Sequence, residues 1–216
     1  MLFSICLPWL LRRPLLSLIF GYQLHPTSRI GLSWIMPKML IMEANSRIDH
    51  LTICKGLSLL HLHEDSIIGN LNWITAYPEG DIKHYVHQPE RKAQLILGRH
   101  SAITARHLLD CTDTISIGNF TILAGFQSQL ITHSIDLIEN RQSSKPIHIG
   151  DYSFVGSNSV LLGGAQLPDY CVLGANSLLN KSFTESYNLY AGVPARLVKD
   201  LPADFKYFHR QVGFVD

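Results

Sequence analysis

The chain has 216 residues, 46% of them hydrophobic and only 16% charged, which is enough for one sizeable core and too apolar for disorder or a solvated helical array. Eighteen Lys and Arg against seventeen Asp and Glu leave a formal charge of +1, so no field is available to hold a nucleic acid backbone, and no nucleic-acid partner is expected. Cys6, Cys54, Cys111 and Cys171 stand more than forty residues apart, which excludes a zinc-finger spacing and a dense disulfide framework and fits a reducing cytoplasm.

Residues 1–25 form an apolar N-terminal segment in which fourteen of the first twenty residues are apolar. Arg12 and Arg13 interrupt it between Pro8 and Pro14, so it does not read as a membrane-spanning helix. It is also a poor secretory signal, because the positive charge follows the first apolar run. Two readings stand. In one, short helices pack on the main domain. In the other, Leu15, Leu16, Leu18, Ile19 and Phe20 lie against a membrane with the arginines at headgroup level, a peripheral contact at its inner face through residues 1–20.

Residues 26–183 carry a period of six. Met42, Ile48 and Cys54 begin it loosely, and Leu62, Ile68 and Ile74 continue it until a break at 77–94. Leu97, Ile103 and Leu109, then Ile117 and Leu123, resume it before a second break at 129–148. Ile149, Val155, Leu161, Leu167, Leu173 and Leu179 then follow without a gap. Four residues past each of these stand Ser153, Ser159, Ala165, Cys171, Ser177 and Phe183, so one hexad position is an aliphatic plug and another, in five of six cases, a small corner. A period of six is too short for a helical repeat and predicts an all-β solenoid, a parallel β-helix in which three hexads make one triangular coil. These two breaks, and a third at the end of the array near Asn180, predict loops extruded from the stack, where functional residues concentrate. Residues 184–216 read as a C-terminal extension.

Several stretches carry more than the fold: Ile131-Thr132-His133, a polar loop holding Arg141, Lys145-Pro146-Ile147-His148-Ile149-Gly150, Phe154-Val155-Gly156-Ser157, Leu173-Gly174-Ala175-Asn176-Ser177, Asn180-Lys181 and Ala191-Gly192-Val193-Pro194-Ala195-Arg196. In order and spacing they resemble the hexapeptide-repeat acyltransferases, in particular the galactoside, maltose and xenobiotic acetyltransferases. The resemblance covers about the last hundred residues and implies a left-handed β-helix, a homotrimer with sites between neighbouring subunits, and acetyl-CoA as donor.

By that resemblance His133 is the catalytic histidine. Acyl transfer from a thioester to a hydroxyl needs a base, and an imidazole titrates close enough to neutrality to serve. Asp110, Asp113 and Asp136 are the acids that could orient it. His107 occupies a hexad corner where later coils carry Ser, Ala or Cys, and one coil plus a loop could stack it at the same edge as His133, touching the acceptor or the oxyanion; a structural hydrogen bond is the alternative. Cys111 is expected to be a core residue and not a nucleophile. The resemblance assigns donor binding to Gly156, Ser157, Gly174, Ala175, Asn180, Lys181 and Arg196.

No metal is expected. The zinc-binding branch of this fold, which resembles a carbonic anhydrase, places two histidine ligands five residues apart. Here His61 and His63 differ by two, His84 and His87 by three, and His100 and His107 by seven. Alternation in a strand puts His61 and His63 on one face, an arrangement that can hold a metal but more often just faces solvent. The irregular N-terminal half, with Trp73, Tyr77, Tyr85 and His87, departs from the small galactoside and maltose enzymes and resembles acetyltransferases of capsule, exopolysaccharide or lipopolysaccharide biosynthesis. O-acetylation of a sugar is therefore the expectation. N-acetylation of an amino sugar nucleotide and a noncatalytic trimeric scaffold are the alternatives.

Overall fold

The frame residues all point inward. Ile149, Val155, Leu161, Leu167, Leu173 and Leu179 are each 0% exposed, and the looser upstream series from Met42 to Leu123 is buried with them. The computed structural model describes residues 7–80 and 83–215; Cys6, the rest of the first six residues, and Asp81 and Ile82 of the first loop lie outside the described residues. The chain winds as the expected left-handed parallel β-helix with three faces. The first sheet has seven strands from Gln23–Leu24 to Gln166–Leu167 and the third has seven from Trp34–Met36 to Leu178–Leu179. The second has nine and runs past the expected end of the repeat, because Asn188–Ala191 pairs in parallel with Val172–Leu173 and Arg196–Asp200 folds back antiparallel.

The small corner residues are small for a reason beyond space. Their hydroxyls join successive coils: Thr121 N–H donates to Ser101 Oγ, Ser153 N–H to Thr121 Oγ1, and Cys171 N–H to Ser153 Oγ. At a second corner a parallel ladder passes from Ser33 through Thr52 and Asn72 to His107, Ser128, Ser159 and Ser177. These bonds satisfy amides that a short strand followed by a sharp turn leaves without a sheet partner.

The α-helix Trp9–Phe20 closes the first coil. Its Leu16 is wholly buried, and Arg12 is buried too, donating to Gly31 O at 2.7 Å and Ser33 O at 3.0 Å. Arg12 thus satisfies carbonyls at the open end of the solenoid, where no preceding coil can. In the second reading Arg12 stood at headgroup level and Leu16 lay against a membrane; both are buried in the protein instead. Leu10, Leu11, Leu18 and Ile19 do face outward, and no helix among the described residues is long and apolar enough to cross a membrane.

Candidate active site

The second break leaves the solenoid between the third sheet and the first. Strand Gln129–Ile131 ends there, and an antiparallel hairpin, His133–Asp136 with Arg141–Ser144, projects before the chain re-enters at Ile147–Ile149. His133 stands at the base of this hairpin. Its backbone is fixed through Thr132, whose hydroxyl donates to Asp110 O at 2.7 Å and accepts from Asp113 N–H at 2.9 Å. Gly163, in the next coil, lets the hairpin base sit this close: a Cβ there would lie 2.6 Å from Thr132 O and 3.2 Å from Lys145 O.

Of the three candidate acids, Asp110 meets the imidazole. Parallel pairing sets Asp110 beside Ile131, and its Oδ2 accepts from both His133 Nδ1 and His133 N–H. Its Oδ1 accepts from Thr112 N–H at 3.1 Å and Thr112 Oγ1 at 2.6 Å, so each oxygen of this buried carboxylate takes two donors. An ionised carboxylate only accepts, so Nδ1 carries a proton, and in the neutral ring the lone pair is on Nε2. The His133 side chain is 47% exposed, so this lone pair belongs to a group that a substrate can reach. Asp113 instead accepts from Thr114 N–H and Ser144 Oγ, and Asp136 caps Ile138 and Glu139 within the hairpin.

The first loop also reaches this corner, through residues with no local sequence signal. Buried Arg91 donates to Tyr77 O, Pro78 O and Thr112 O and stacks 4.3 Å from the Tyr85 ring centroid. Gln88 exchanges two 2.9 Å hydrogen bonds with the backbone of Ser144, tying the loop to the hairpin. The two insertions flank one site.

His107 is not part of it. The strand Leu108–Asp110 separates the two histidines, with His107 at its start and the His133 partner Asp110 at its end, so they do not stack at one edge. His107 is 1% exposed, accepts from Ser128 N–H on Nδ1 and meets Thr104 Oγ1 at 3.0 Å on Nε2. It is a rung of the corner ladder in which a ring nitrogen replaces a hydroxyl, and burial pushes its pKa down to about 4. Cys111 is buried, and burial, with Cys54 and Asp110 nearby, raises its thiol well above the usual range, as expected of a core residue.

The residues assigned to the donor fall at two edges of the third sheet. Gly156, Ser157, Gly174 and Ala175 stack at the corner where the chain enters that sheet, packed so closely that a Cβ on Gly156 would lie 2.6 Å from Ala175 N. Asn180 and Lys181 follow Leu178–Leu179 at the opposite edge, the one that carries His133, and Lys181 Nζ lies 4.8 Å from the Phe183 ring centroid. Arg196 is exposed on the antiparallel return strand. One subunit does not gather all seven.

No family model matches the chain. A probable acetyltransferase of Mycobacterium tuberculosis is 22% identical over 133 residues, which are 62% of this chain and 41% of that protein, so the match spans about two fifths of that relative's length. Among solved structures, the polysialic acid O-acetyltransferase OatWY superposes with a TM-score of 0.61 at 18% identity, covering 83% of this chain and 84% of that one. AntD, an N-acyltransferase from Bacillus cereus solved with dTDP and 3-hydroxybutyryl-CoA, gives a TM-score of 0.54 at 14% identity, with 92% of each chain covered. The hexapeptide-repeat β-helix read from the sequence is the fold these acyltransferases share with this chain.

Proposed function

We propose that this chain is an acetyltransferase that moves an acetyl group from acetyl-CoA to a sugar hydroxyl, in the biosynthesis of a bacterial surface glycan. The observation that carries this reading is the half-exposed His133 imidazole, held at Nδ1 by a buried, fully hydrogen-bonded Asp110 at the mouth of the hairpin. Nε2 takes the acceptor's hydroxyl proton as the oxygen attacks the thioester carbonyl. The carbon–oxygen bond forms, the carbon–sulfur bond breaks, and the proton passes to the departing thiolate. Direct attack needs no covalent enzyme intermediate, and among the described residues the thiol nearest in sequence, Cys111, is buried with its pKa raised.

The site is completed between neighbouring subunits of a homotrimer. The two groups of donor residues lie on opposite edges of a third sheet whose strands, three residues long at most, are about 10 Å across. Exposed Met36, Leu71, Trp73, Leu108 and Leu162 on or beside that sheet supply the apolar face for a partner copy. A glycan acceptor agrees with OatWY, an O-acetyltransferase of polysialic acid; AntD, solved with a nucleotide and acting on nitrogen, keeps an amino sugar nucleotide as the second reading. The protein works in the cytoplasm, and outward Leu10, Leu11, Leu18 and Ile19 give it a peripheral contact with the inner membrane face when the acceptor is lipid-linked.

Calorimetric titration with acetyl-CoA tests the donor without the acceptor. Saturation near one per subunit, weakened by Lys181→Ala, is expected; no heat up to millimolar donor in a folded trimer would favour the scaffold. Acetylation of sugar hydroxyls in an acceptor panel, with 4-amino sugar nucleotides left unmodified, separates the two chemistries.

A further inference from the structure

A second group of titratable side chains lies far from His133, on the outer face of the first sheet. His61 is an outward residue of strand Leu59–Leu62, and His63 follows that strand. Glu43 ends the neighbouring strand Met39–Met42, one coil earlier, where the register pairs Met42 with Leu62. His61 Nε2 and His63 Nδ1 both lie 2.9 Å from the same oxygen, Glu43 Oε1. The imidazole rings are 4.0 Å apart between centroids, and the three donor atoms all fall within 4.8 Å of one another.

We propose that Glu43, His61 and His63 bind a divalent transition-metal ion of the zinc class, which clasps two successive coils of the solenoid. Two neutral imidazoles and a carboxylate form a nitrogen-rich, borderline donor set that suits zinc better than calcium or magnesium. Ligands of a tetrahedral ion held at about 2.0–2.1 Å lie roughly 3.3 Å apart, so the observed separations need only small side-chain rotations to open a space for it. The frame is rigid: Glu43 N–H donates to Leu62 O at 3.0 Å, His63 N–H donates to Leu97 O at 2.9 Å, and Glu64 N–H donates to Glu43 Oε2 at 3.2 Å, fixing the carboxylate. Side-chain exposures of 20% for His61, 33% for His63 and 39% for Glu43 leave an entry path and a fourth position for water. The expectation of no metal rested on histidine spacing and on a solvent-facing reading of His61 and His63, and neither could reveal Glu43, eighteen residues before His61.

The strand carrying His61 is three strands from Ile147–Ile149, where the chain re-enters after the hairpin, or about 14 Å along the stack. The ion is therefore a clasp and takes no part in acyl transfer. The site stands on its own geometry and does not depend on the acetyltransferase reading.

Zinc titrated into chelator-stripped protein tests it, followed by calorimetry and by thermal unfolding. One ion per chain should bind, and saturating zinc should raise the midpoint by about 5 °C or more. Glu43→Gln, His61→Ala and His63→Ala should each weaken binding at least tenfold and abolish the midpoint shift, with unchanged circular dichroism showing that they fold. His133→Ala should bind zinc as the natural chain does, which separates this site from the catalytic corner. Absence of saturable zinc binding, or binding that survives in the His61→Ala/His63→Ala double variant, would overturn the proposal.

Discussion

The strand Leu108–Asp110 has a histidine partner at each end, and the two are used in opposite ways. At its start, His107 is enclosed in the corner ladder with both ring nitrogens engaged, and burial disfavours its charge. At its end, Asp110 engages only Nδ1 of the His133 ring, beside the His133 backbone N–H, and leaves Nε2 without a hydrogen-bond partner among the described residues. What an imidazole can do is thus decided by how many of its nitrogens the fold consumes. The third arrangement brings one nitrogen of each of two imidazoles to a single Glu43 oxygen, the donor set of the proposed ion site, where a metal would replace the protons these groups share.

Substitutions at these positions test the contrast directly. His133→Ala should lower kcat by about a hundredfold or more, measured as thiol release from acetyl-CoA with an acceptor present. Asp110→Asn should lower kcat by roughly tenfold to a hundredfold with little change in acetyl-CoA affinity, because the amide can donate to Nδ1 and favour the wrong tautomer. Gln88→Ala cuts the tie between the first loop and the hairpin, and should raise the acceptor KM several-fold while kcat changes less than in the Asp110 variant. In contrast, His107→Ala should leave kcat within about threefold and cost about 1–3 kcal/mol in urea unfolding, because Ser128 N–H loses its acceptor.

The pH dependence of stability sharpens the same contrast. His107 is held near a pKa of about 4 against an ordinary value of 6.5, so at intermediate pH the unfolded chain binds the proton and the folded chain does not. Its contribution is complete above about pH 6.5 and is lost as pH falls towards 4, amounting to about 3 kcal/mol. His107→Ser should flatten the stability profile in that window. An unchanged slope would mean that the buried ring is not the group responsible.

The late coils were legible because their period is unbroken. Val155 pairs with Leu173, eighteen residues on, whereas Ile48 pairs with Ile68 and Ile103 with Leu123, each twenty residues on. Two extra residues per coil shift a count of six out of phase, which is why the upstream frame looked loose although the packing inside is the same. The place of His133 at the base of the hairpin was legible from the break in the frame. Asp110 could be named only as one of three acids, because strand register decides which carboxylate lies beside it. Gln88 and Arg91 gave no local signal, and Arg12 was visible only as a break in an apolar run, since each acts on backbone groups distant in sequence. Glu43 was missed for the same reason: it meets its histidines across a coil.

The most direct measurement is the rate of acetyl transfer by His133→Ala and His107→Ala side by side, on one glycan acceptor and with donor binding checked by calorimetry. The structure predicts a loss of about a hundredfold or more in the first, with acetyl-CoA still bound, and near-normal turnover in the second. Comparable losses in both, or normal turnover in His133→Ala, would contradict the assignment of the base.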